Sequence, residues 1–457
     1  MGEFFGTDGI RGVAEQYPLD AATLERIGYS LARHLGERHA GQSPLILIGR
    51  DTRESGNWIE AAIVRGIVTA QGRARSAGVI TTPGVAYLTR LLNADAGVVI
   101  SASHNPFEDN GIKVFAPTGR KLDDAMEQAI ERDLRTSADS FPPYVNATVE
   151  TEAELDEEYL AFLRTEIGAG MNLQGMKLVV DCANGASFAL APRLFAELGA
   201  EVLSINAVPN GRNINLDCGS LHPETLQQRV RDARADLGLA FDGDADRLLL
   251  VDEQGELVDG DQVLFIVASY LHAQDKLARQ RVVATVMSNL GLEIALKEQG
   301  IELVRTSVGD KYVLEELLAN GGSLGGEQSG HIIFPEISLA GDGMISALEV
   351  LRVIRESGKS LGTLARGFKR YPQKTINVRV LSKPPLESVP AIKATMEEVK
   401  QALGEQGRLL VRYSGTENLV RVMVEAAEEE QVQRHVTHVA EVIRQELGQL
   451  RAEAQQV

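Results

Sequence analysis

The sequence predicts an α/β protein: three similar α/β domains with mixed, mostly parallel sheets, followed by a smaller α+β C-terminal domain. Three observations predict it. Apolar runs of strand length alternate with apolar residues at helical spacing along most of the chain, the grammar of βαβ units. That alternation recurs in three rounds. The last stretch instead brings two strand-like runs close together ahead of one long striped helix. A length of 457 residues agrees in scale, at ~150 residues per domain.

In the first round, Asp20 can cap a helix whose Leu24, Ile27, Leu31 and Leu35 recur at helical spacing. Leu45–Ile48 reads as a buried strand, Ile59, Ile63 and Ile67 as one helix face, and Ala77–Ile80 as the next strand. A helix near Val85–Leu92 then leads to the strand Gly97–Ile100. The second round holds Leu178–Val180, a helix over Ala186–Leu198, the strand Val202–Ile205, a helix over Pro223–Ala233 and the strand Leu237–Phe241. The third holds Val282–Val286, a helix around Leu292–Lys297 and Glu302–Arg305. Near the end come Ile376–Val380, then Arg408–Arg412 and Leu419–Glu425 as a hairpin. A final helix from Glu428 carries Val432, Val436, Val439, Ile443, Leu447 and Leu450 as a single apolar stripe that docks it. The acidic stretch from Thr136 to Glu158 reads as a linker. Domains are expected at 1–145, 155–252, 253–367 and 368–457.

Lys and Arg number 46 against 64 Asp and Glu, a formal charge of −18. Such a surface repels nucleic acid and anionic membranes, so neither is expected as a partner. An anionic substrate would need a local cluster of cations or a metal to reverse that field. The two cysteines, Cys182 and Cys218, show no zinc spacing and read as buried residues in a reducing compartment. No run approaches the ~18 apolar residues that span a bilayer. A cytoplasmic protein is expected.

Four segments could carry chemistry. Ser101-Ala-Ser-His-Asn-Pro106 follows an apolar strand, where a serine hydroxyl can act as nucleophile or carry a phosphate, although a polar turn would look the same. Lys113, beginning the next apolar run, could exchange a proton if folded back with a lowered pKa. Asp242-Gly-Asp-Ala-Asp-Arg247 places three carboxylates two residues apart, able to turn onto one hard cation such as Mg²⁺. A solvated turn suits it poorly, because crowded carboxylates repel one another without a counter-ion. An EF-hand is disfavoured by Arg247 at the position that motif gives to glycine. An aspartyl phosphatase with Asp242 as nucleophile stays open, although Asp246 sits where that class usually has Thr or Val. Gly325-Gly-Glu-Gln-Ser-Gly-His331 suits hydrogen bonding to a polyol, or is a Gly-rich hairpin. Arg412-Tyr-Ser-Gly-Thr-Glu417, with Arg421, could cradle a phosphate dianion. A non-catalytic sugar-phosphate-binding protein would carry several of the same features.

Taken together with Phe5-Gly-Thr-Asp-Gly-Ile-Arg-Gly12, and in this order, the segments resemble the α-D-phosphohexomutases across nearly the whole chain. The resemblance implies a heart-shaped, four-domain architecture. It implies an intramolecular phosphotransferase in which Ser103, preceding His, is the phosphoserine. Asp242, Asp244, Asp246 and an oxygen on phospho-Ser103 would hold one Mg²⁺. Arg11, His104, Lys113 and Arg247 would surround the transferring group, Lys113 as general acid/base. Glu327, Ser329 and His331 would hold sugar hydroxyls, and Arg412, Ser414, Gly415, Thr416 and Arg421 the other phosphate. Gln328 and Gly309-Asp-Lys-Tyr312 resemble the amino-sugar branch. That branch implies interconversion of glucosamine 6-phosphate and glucosamine 1-phosphate through glucosamine 1,6-bisphosphate, feeding UDP-N-acetylglucosamine synthesis and hence peptidoglycan precursors. Mannose or glucose phosphates are the alternative within the family. An unidentified phosphate donor would first load Ser103. The chain departs from the family pattern at Asn418, commonly Pro, and at Ala245, often Gly, whose methyl is expected to point outward.

Overall fold

A computed structural model describes residues 4–6, 8–38, 43–136, 141–414 and 417–448. The chain forms two compact units, one of residues 1–287 and 300–367, the other of 288–299 and 368–457.

The larger unit carries three sheets built on one plan. In the first, β1 (Ile10–Val13), β2 (Leu45–Arg50), β3 (Arg73–Val79), β4 (Ala96–Ile100) and β5 (Asp109–Phe115) lie in the order β1-β5-β4-β2-β3. Strands β3, β2 and β4 run parallel, while β5 returns antiparallel to β4. In the second, β6 (Lys177–Asp181), β7 (Glu201–Ile205), β8 (Leu237–Phe241), β9 (Leu248–Val251) and β10 (Leu257–Val258) lie in the order β10-β9-β8-β6-β7. In the third, β11 (Arg281–Thr285), β12 (Glu302–Thr306), β13 (Gly325–Gly326) and β14 (Ile332–Ile333) lie in the order β12-β11-β13-β14. Each sheet thus contains two crossovers and then a return, so β4–β5, β8–β9 and β13–β14 are equivalent corners.

The helices follow from capping and packing. Asp20 accepts the backbone N–H of Thr23 at 3.1 Å at the start of α1 (Ala21–Arg38), as expected. α2 (Gly56–Thr69) packs on α1 at glycine-lined contacts: a β-carbon on Gly28 would meet Ile63 O at 2.2 Å, and one on Gly66 would meet Glu25 O at 2.0 Å. Thr81 caps α3 (Thr82–Leu91) through Gly84 N–H. The first core joins Leu24, Ile27 and Leu31 of α1 to Ile59, Ile63 and Ile67 of α2 over Ile46, Ile48, Val98 and Ile100.

Several elements differ from expectation. β3 starts at Arg73 rather than Ala77, because an edge strand leaves room for the aliphatic stems of Arg73 and Arg75 to lie toward water. β5 extends back to Asp109, so Lys113 sits within the strand, opposite Val99. The linker beyond Thr136 is helical from Glu154, in α4 (Glu154–Phe162), and Thr151 forms a bridge to Ser76 on β3. Helices over Asp124–Leu134, Gly260–Ala273, Asp310–Asn320 and Gly343–Ser357 were not foreseen.

The smaller unit is an antiparallel sheet of Gln373–Arg379, Leu419–Ala426 and Gly407–Tyr413, in that spatial order. Pro390–Leu403 and Glu429–Leu447 pack against it through Ile392, Val399, Val432, Val436, Val439 and Ile443. Leu450 lies outside the described residues. The helix Leu290–Glu298 belongs to this unit: Glu425 Oε1 accepts Leu290 N–H at 3.2 Å and Asn289 Nδ2 at 3.1 Å.

Candidate active site

The three equivalent corners of the larger unit carry three of the sequence-predicted segments. Ser103 follows β4, Asp242 follows β8, and Glu327–His331 joins β13 to β14. They gather because each sheet presents the carboxyl end of an inner strand, where α/β proteins place ligands.

Ser103 is 1% exposed and adopts φ 54°, a left-handed conformation rare for serine. Its Oγ donates to Asp242 Oδ2 at 2.5 Å and lies 3.3 Å from His104 Nδ1. Asp242, Asp244 and Asp246 are buried with a carboxylate oxygen of each within 4.8 Å of the others. Lys113, 2% exposed, places Nζ 2.9 Å from Asp244, 3.3 Å from Asp246 and 3.2 Å from Asp8. Burial opposes its charge, but Asp244, Asp8 and Asp246 outweigh it and hold its pKa well above the usual lysine value. The lowered pKa that the sequence reading required for Lys113 is therefore absent, because carboxylates rather than apolar groups surround the amine.

The acidic trio suits a hard cation. Asp244 Oδ1 and Asp246 Oδ1 are buried without a hydrogen-bond partner. Burial, with Asp246 and Asp244 adding repulsion, pushes the Asp242 carboxyl well above its ordinary range. Asp246 is driven the other way: burial is outweighed by Lys113 and His331. An oxygen-only donor set with two unused oxygens is what Mg²⁺ takes beside phosphate or water. Ala245 corrects one expectation. It is fully buried with φ 57°, its carbonyl accepting Gly343 N–H at 3.0 Å, so its methyl points inward.

Beside the trio opens a cleft of about 480 Å³ lined by Asp8, Arg11, His104, Asp246, Arg247, Asp310, Glu327 and His331, among others. Its charges alternate around a closed circuit. Asp246 meets Lys113, Lys113 meets Asp8, and Asp8 meets Lys121 at 2.7 Å. Lys121 meets Asp310 at 2.7 Å, and His331 lies 3.7 Å from both Asp310 and Asp246. Burial opposes the His331 cation, but Asp246 and Asp310 raise its pKa to about 9. His104 goes the other way: burial and the cations Arg247 and Arg11 lower it to about 4, leaving a neutral ring near Ser103. Arg11 pairs with Asp8 at 2.6 Å, and Arg247 N–H donates to Asp242 Oδ1 at 3.2 Å.

Sequence reasoning placed Ser103, His104, Lys113, Arg11, Arg247 and the three aspartates in one neighbourhood, and the structure brings them together. Glu327 and His331 line the cleft, whereas Ser329 does not, its Oγ being buried without a hydrogen bond. Gln328 turns away and donates to Asp259 Oδ2 at 3.2 Å, at the cap of Gly260–Ala273. Asp8 and Lys121 were missed. Asp8 lay within the quoted Phe5–Gly12 motif, and that motif was its only signal; Lys121 carried none.

Arg412, Ser414 and Arg421 lie in the smaller unit, and Gly415 and Thr416 lie outside the described residues. Arg412 and Arg421 sit directly opposite on neighbouring strands. Like charges in such register repel, which an anion between them would relieve. Burial and Arg421 press the Arg412 pKa down accordingly. Ser414 is buried, its carbonyl accepting from Lys383 Nζ at 2.9 Å, a further cation the sequence reading did not single out.

With this geometry, comparison with known proteins defines the class. Models of the phosphoglucomutase/phosphomannomutase family match residues 2–140 (alpha/beta/alpha domain I), 157–255 (domain II), 259–371 (domain III) and 376–442 (C-terminal domain), so the chain belongs to that family. Within it, the chain is 51% identical over 449 residues to the phosphoglucosamine mutase of Solibacter usitatus, covering 98% of this chain and 99% of that one. It is 48% identical over 453 residues to the phosphoglucosamine mutase of Geobacillus thermodenitrificans, covering 98% and 100%. A phosphoglucomutase/phosphomannomutase family protein from Burkholderia thailandensis shares the fold, with a TM-score of 0.79 at 24% identity over 97% of each chain. So does Aspergillus fumigatus N-acetylphosphoglucosamine mutase, solved with GlcNAc-6P and magnesium, with a TM-score of 0.66 at 20% identity over 96% of this chain and 95% of that one. No helix among the described residues is long and apolar enough to cross a membrane.

Proposed function

We propose that the protein interconverts glucosamine 6-phosphate and glucosamine 1-phosphate as an intramolecular phosphotransferase, in the cytoplasm. The observation that carries this reading is the Ser103 Oγ lying 2.5 Å from Asp242, beside a buried acidic trio and a cleft whose wall carries Arg11, Arg247 and His331 among its carboxylates. Relatives at 51% and 48% identity carry the name phosphoglucosamine mutase, which favours the amino sugar over mannose or glucose phosphates.

In this account Ser103 carries a phosphoryl group placed there by a separate donor. The group passes to O1 of glucosamine 6-phosphate, giving glucosamine 1,6-bisphosphate. The bisphosphate turns, and its 6-phosphate returns to Ser103, releasing glucosamine 1-phosphate. Mg²⁺ held by Asp242, Asp244, Asp246 and a phosphoserine oxygen would, when bound, supply positive charge to the transferring oxygens. Arg11 and Arg247 add charge from the cleft wall. Neutral His104 faces the seryl oxygen without adding charge of its own. Lys113 takes the general acid/base role from its ammonium form only, giving up its proton first, since its raised pKa leaves no free amine to act as base at the outset. Glu327 and His331, which line the cleft, hold the sugar hydroxyls, with Ser329 in the loop between them. Arg412, Ser414, Gly415, Thr416 and Arg421 hold the phosphate that is not being transferred. The domains run 1–145, 155–252, 253–367 and 368–457.

The test is Ser103→Ala, assayed beside the parent with glucosamine, glucose and mannose 6-phosphates. The account expects the parent to prefer the amino sugar and the variant, still folded, to lose activity by orders of magnitude. A parent that prefers a hexose phosphate overturns the substrate assignment. An active Ser103→Ala overturns the mechanism.

A further inference from the structure

Ser103 does not hold its left-handed backbone alone. Its N–H donates to Ser101 Oγ at 2.9 Å, and Ser101 Oγ donates in turn to Asp51 Oδ2 at 2.5 Å. Asp51 forms a fully buried ion pair with Arg53. One terminal nitrogen of Arg53 then reaches back to two carbonyls of the serine loop, Ser103 O at 3.2 Å and Asn105 O at 2.6 Å. The same two carbonyls are met from the second sheet's segment by a single amide nitrogen: Asn215 Nδ2 donates to Ser103 O at 2.9 Å and to Asn105 O at 3.0 Å. The approach is close enough that a β-carbon on Gly243 would meet Ser103 O at 2.4 Å and Asn215 Nδ2 at 2.8 Å. Asn215 is buried and itself adopts φ 57°, its N–H donating to Ala183 O at 2.9 Å.

We propose that Asn215, acting with Arg53, is a positioning residue for phosphoryl transfer: a two-sided clamp on the Ser103 and Asn105 carbonyls that aims Ser103 Oγ at the acidic trio. Neither residue lines the cleft, and the nitrogens by which they reach the serine loop meet its backbone carbonyls. Both peptide ends of Ser103 are anchored, which fixes the direction from which its hydroxyl meets Asp242. Because Arg53 comes from the corner after β2 and Asn215 from the segment between β7 and β8, the clamp also ties the serine loop to the second sheet's segments, where Gly243 approaches too closely for a β-carbon. Reaction geometry is steep in distance, and a misplacement of ~1 Å costs about 100-fold in rate.

The inference rests on Ser103 being the phosphorylated residue, and the test separates the two. Asn215→Gly removes the donor while tolerating the positive φ, and Asn215→Asp keeps shape but turns a donor into an acceptor facing two carbonyls. Both are compared with the parent in kcat, KM for glucosamine 6-phosphate, thermal melting, and intact mass at Ser103. The expected result is a fall in kcat of about 10- to 100-fold with KM within about twofold and, for Asn215→Gly, melting little changed; Asn215→Asp loses more kcat and also melts lower, its buried carboxylate facing two carbonyls. Unchanged kcat in both variants overturns the clamp. So does a rise in KM alone, which would make Asn215 a binding residue, or a loss of activity that merely tracks unfolding. A parent with no phosphate on Ser103 and an active Ser103→Ala variant would instead overturn the mutase reading itself.

Discussion

Replacing Lys113 by methionine isolates the electrostatics of the site. The amine lies 2.9, 3.2 and 3.3 Å from Asp244, Asp8 and Asp246. At an effective dielectric of about 20, each contact is worth about 5–6 kcal/mol of gross attraction. Much of that is offset by the desolvation of a side chain only 3% exposed. What remains on deletion is the penalty of stranded carboxylates, about 3–5 kcal/mol for breaking a buried pair. Lys113→Met should therefore lower the stability of the larger unit by about that amount in chelator. Mg²⁺ should restore more stability to the variant than to the parent, because the same carboxylates then share a different cation. The assay is urea unfolding of parent and variant, each with EDTA and with Mg²⁺. If the variant unfolds with the parent in chelator, or if Mg²⁺ stabilises both equally, the carboxylates and the amine are not one electrostatic unit and the reasoning fails.

Two further outcomes follow from the same groups. His331, raised to about 9 from an ordinary ~6.5, contributes stability that is complete below about pH 6.5 and is lost as pH rises through about 9. The full effect is up to about 3 kcal/mol, and a His331→Gln variant should show a flatter profile between pH 6.5 and 9.5; an equally steep one would refute the His331 cation. Arg421→Gln removes one of two guanidinium groups in direct register, so KM for the sugar phosphate should rise about 10- to 100-fold, the worth of a charge-assisted hydrogen bond. Melting should hold or rise slightly as the repulsion is relieved; unchanged KM would remove the hairpin from phosphate binding.

The strands of the first two rounds were legible because their inner members are apolar along their whole length: Ala96–Ile100 and Leu237–Phe241 are buried at every position. What periodicity concealed was the closing corner of the third sheet. Gly325–Gly326 and Ile332–Ile333 are two residues each, too short for an apolar run, yet they form the corner equivalent to those bearing Ser103 and Asp242. The return strand Asp109–Phe115 was half hidden by half-buried Asp109 and by Asn110 and Lys113, polar residues buried with partners, Ser55 Oγ for Asn110 and the site carboxylates for Lys113. Local reading also oriented Ala245 wrongly, since three carboxylates turned to one side force the backbone between them into a left-handed turn that buries the methyl. The acidic trio was readable from spacing alone. The circuit through Asp8, Lys121 and Asp310 was not, because its members come from three distant stretches and only folding sets them side by side.

The account stands on Ser103 lending and recovering a phosphoryl group. Intact-mass analysis, followed by peptide mapping, reads this directly. Protein charged with glucosamine 1,6-bisphosphate should gain about 80 Da, the added mass of one phosphoryl group on a seryl oxygen, mapped to Ser103, and should lose it to added glucosamine 1-phosphate or 6-phosphate. Phosphate found on Asp242 instead, labile to hydroxylamine, or no adduct in a protein that still turns over substrate, would contradict it.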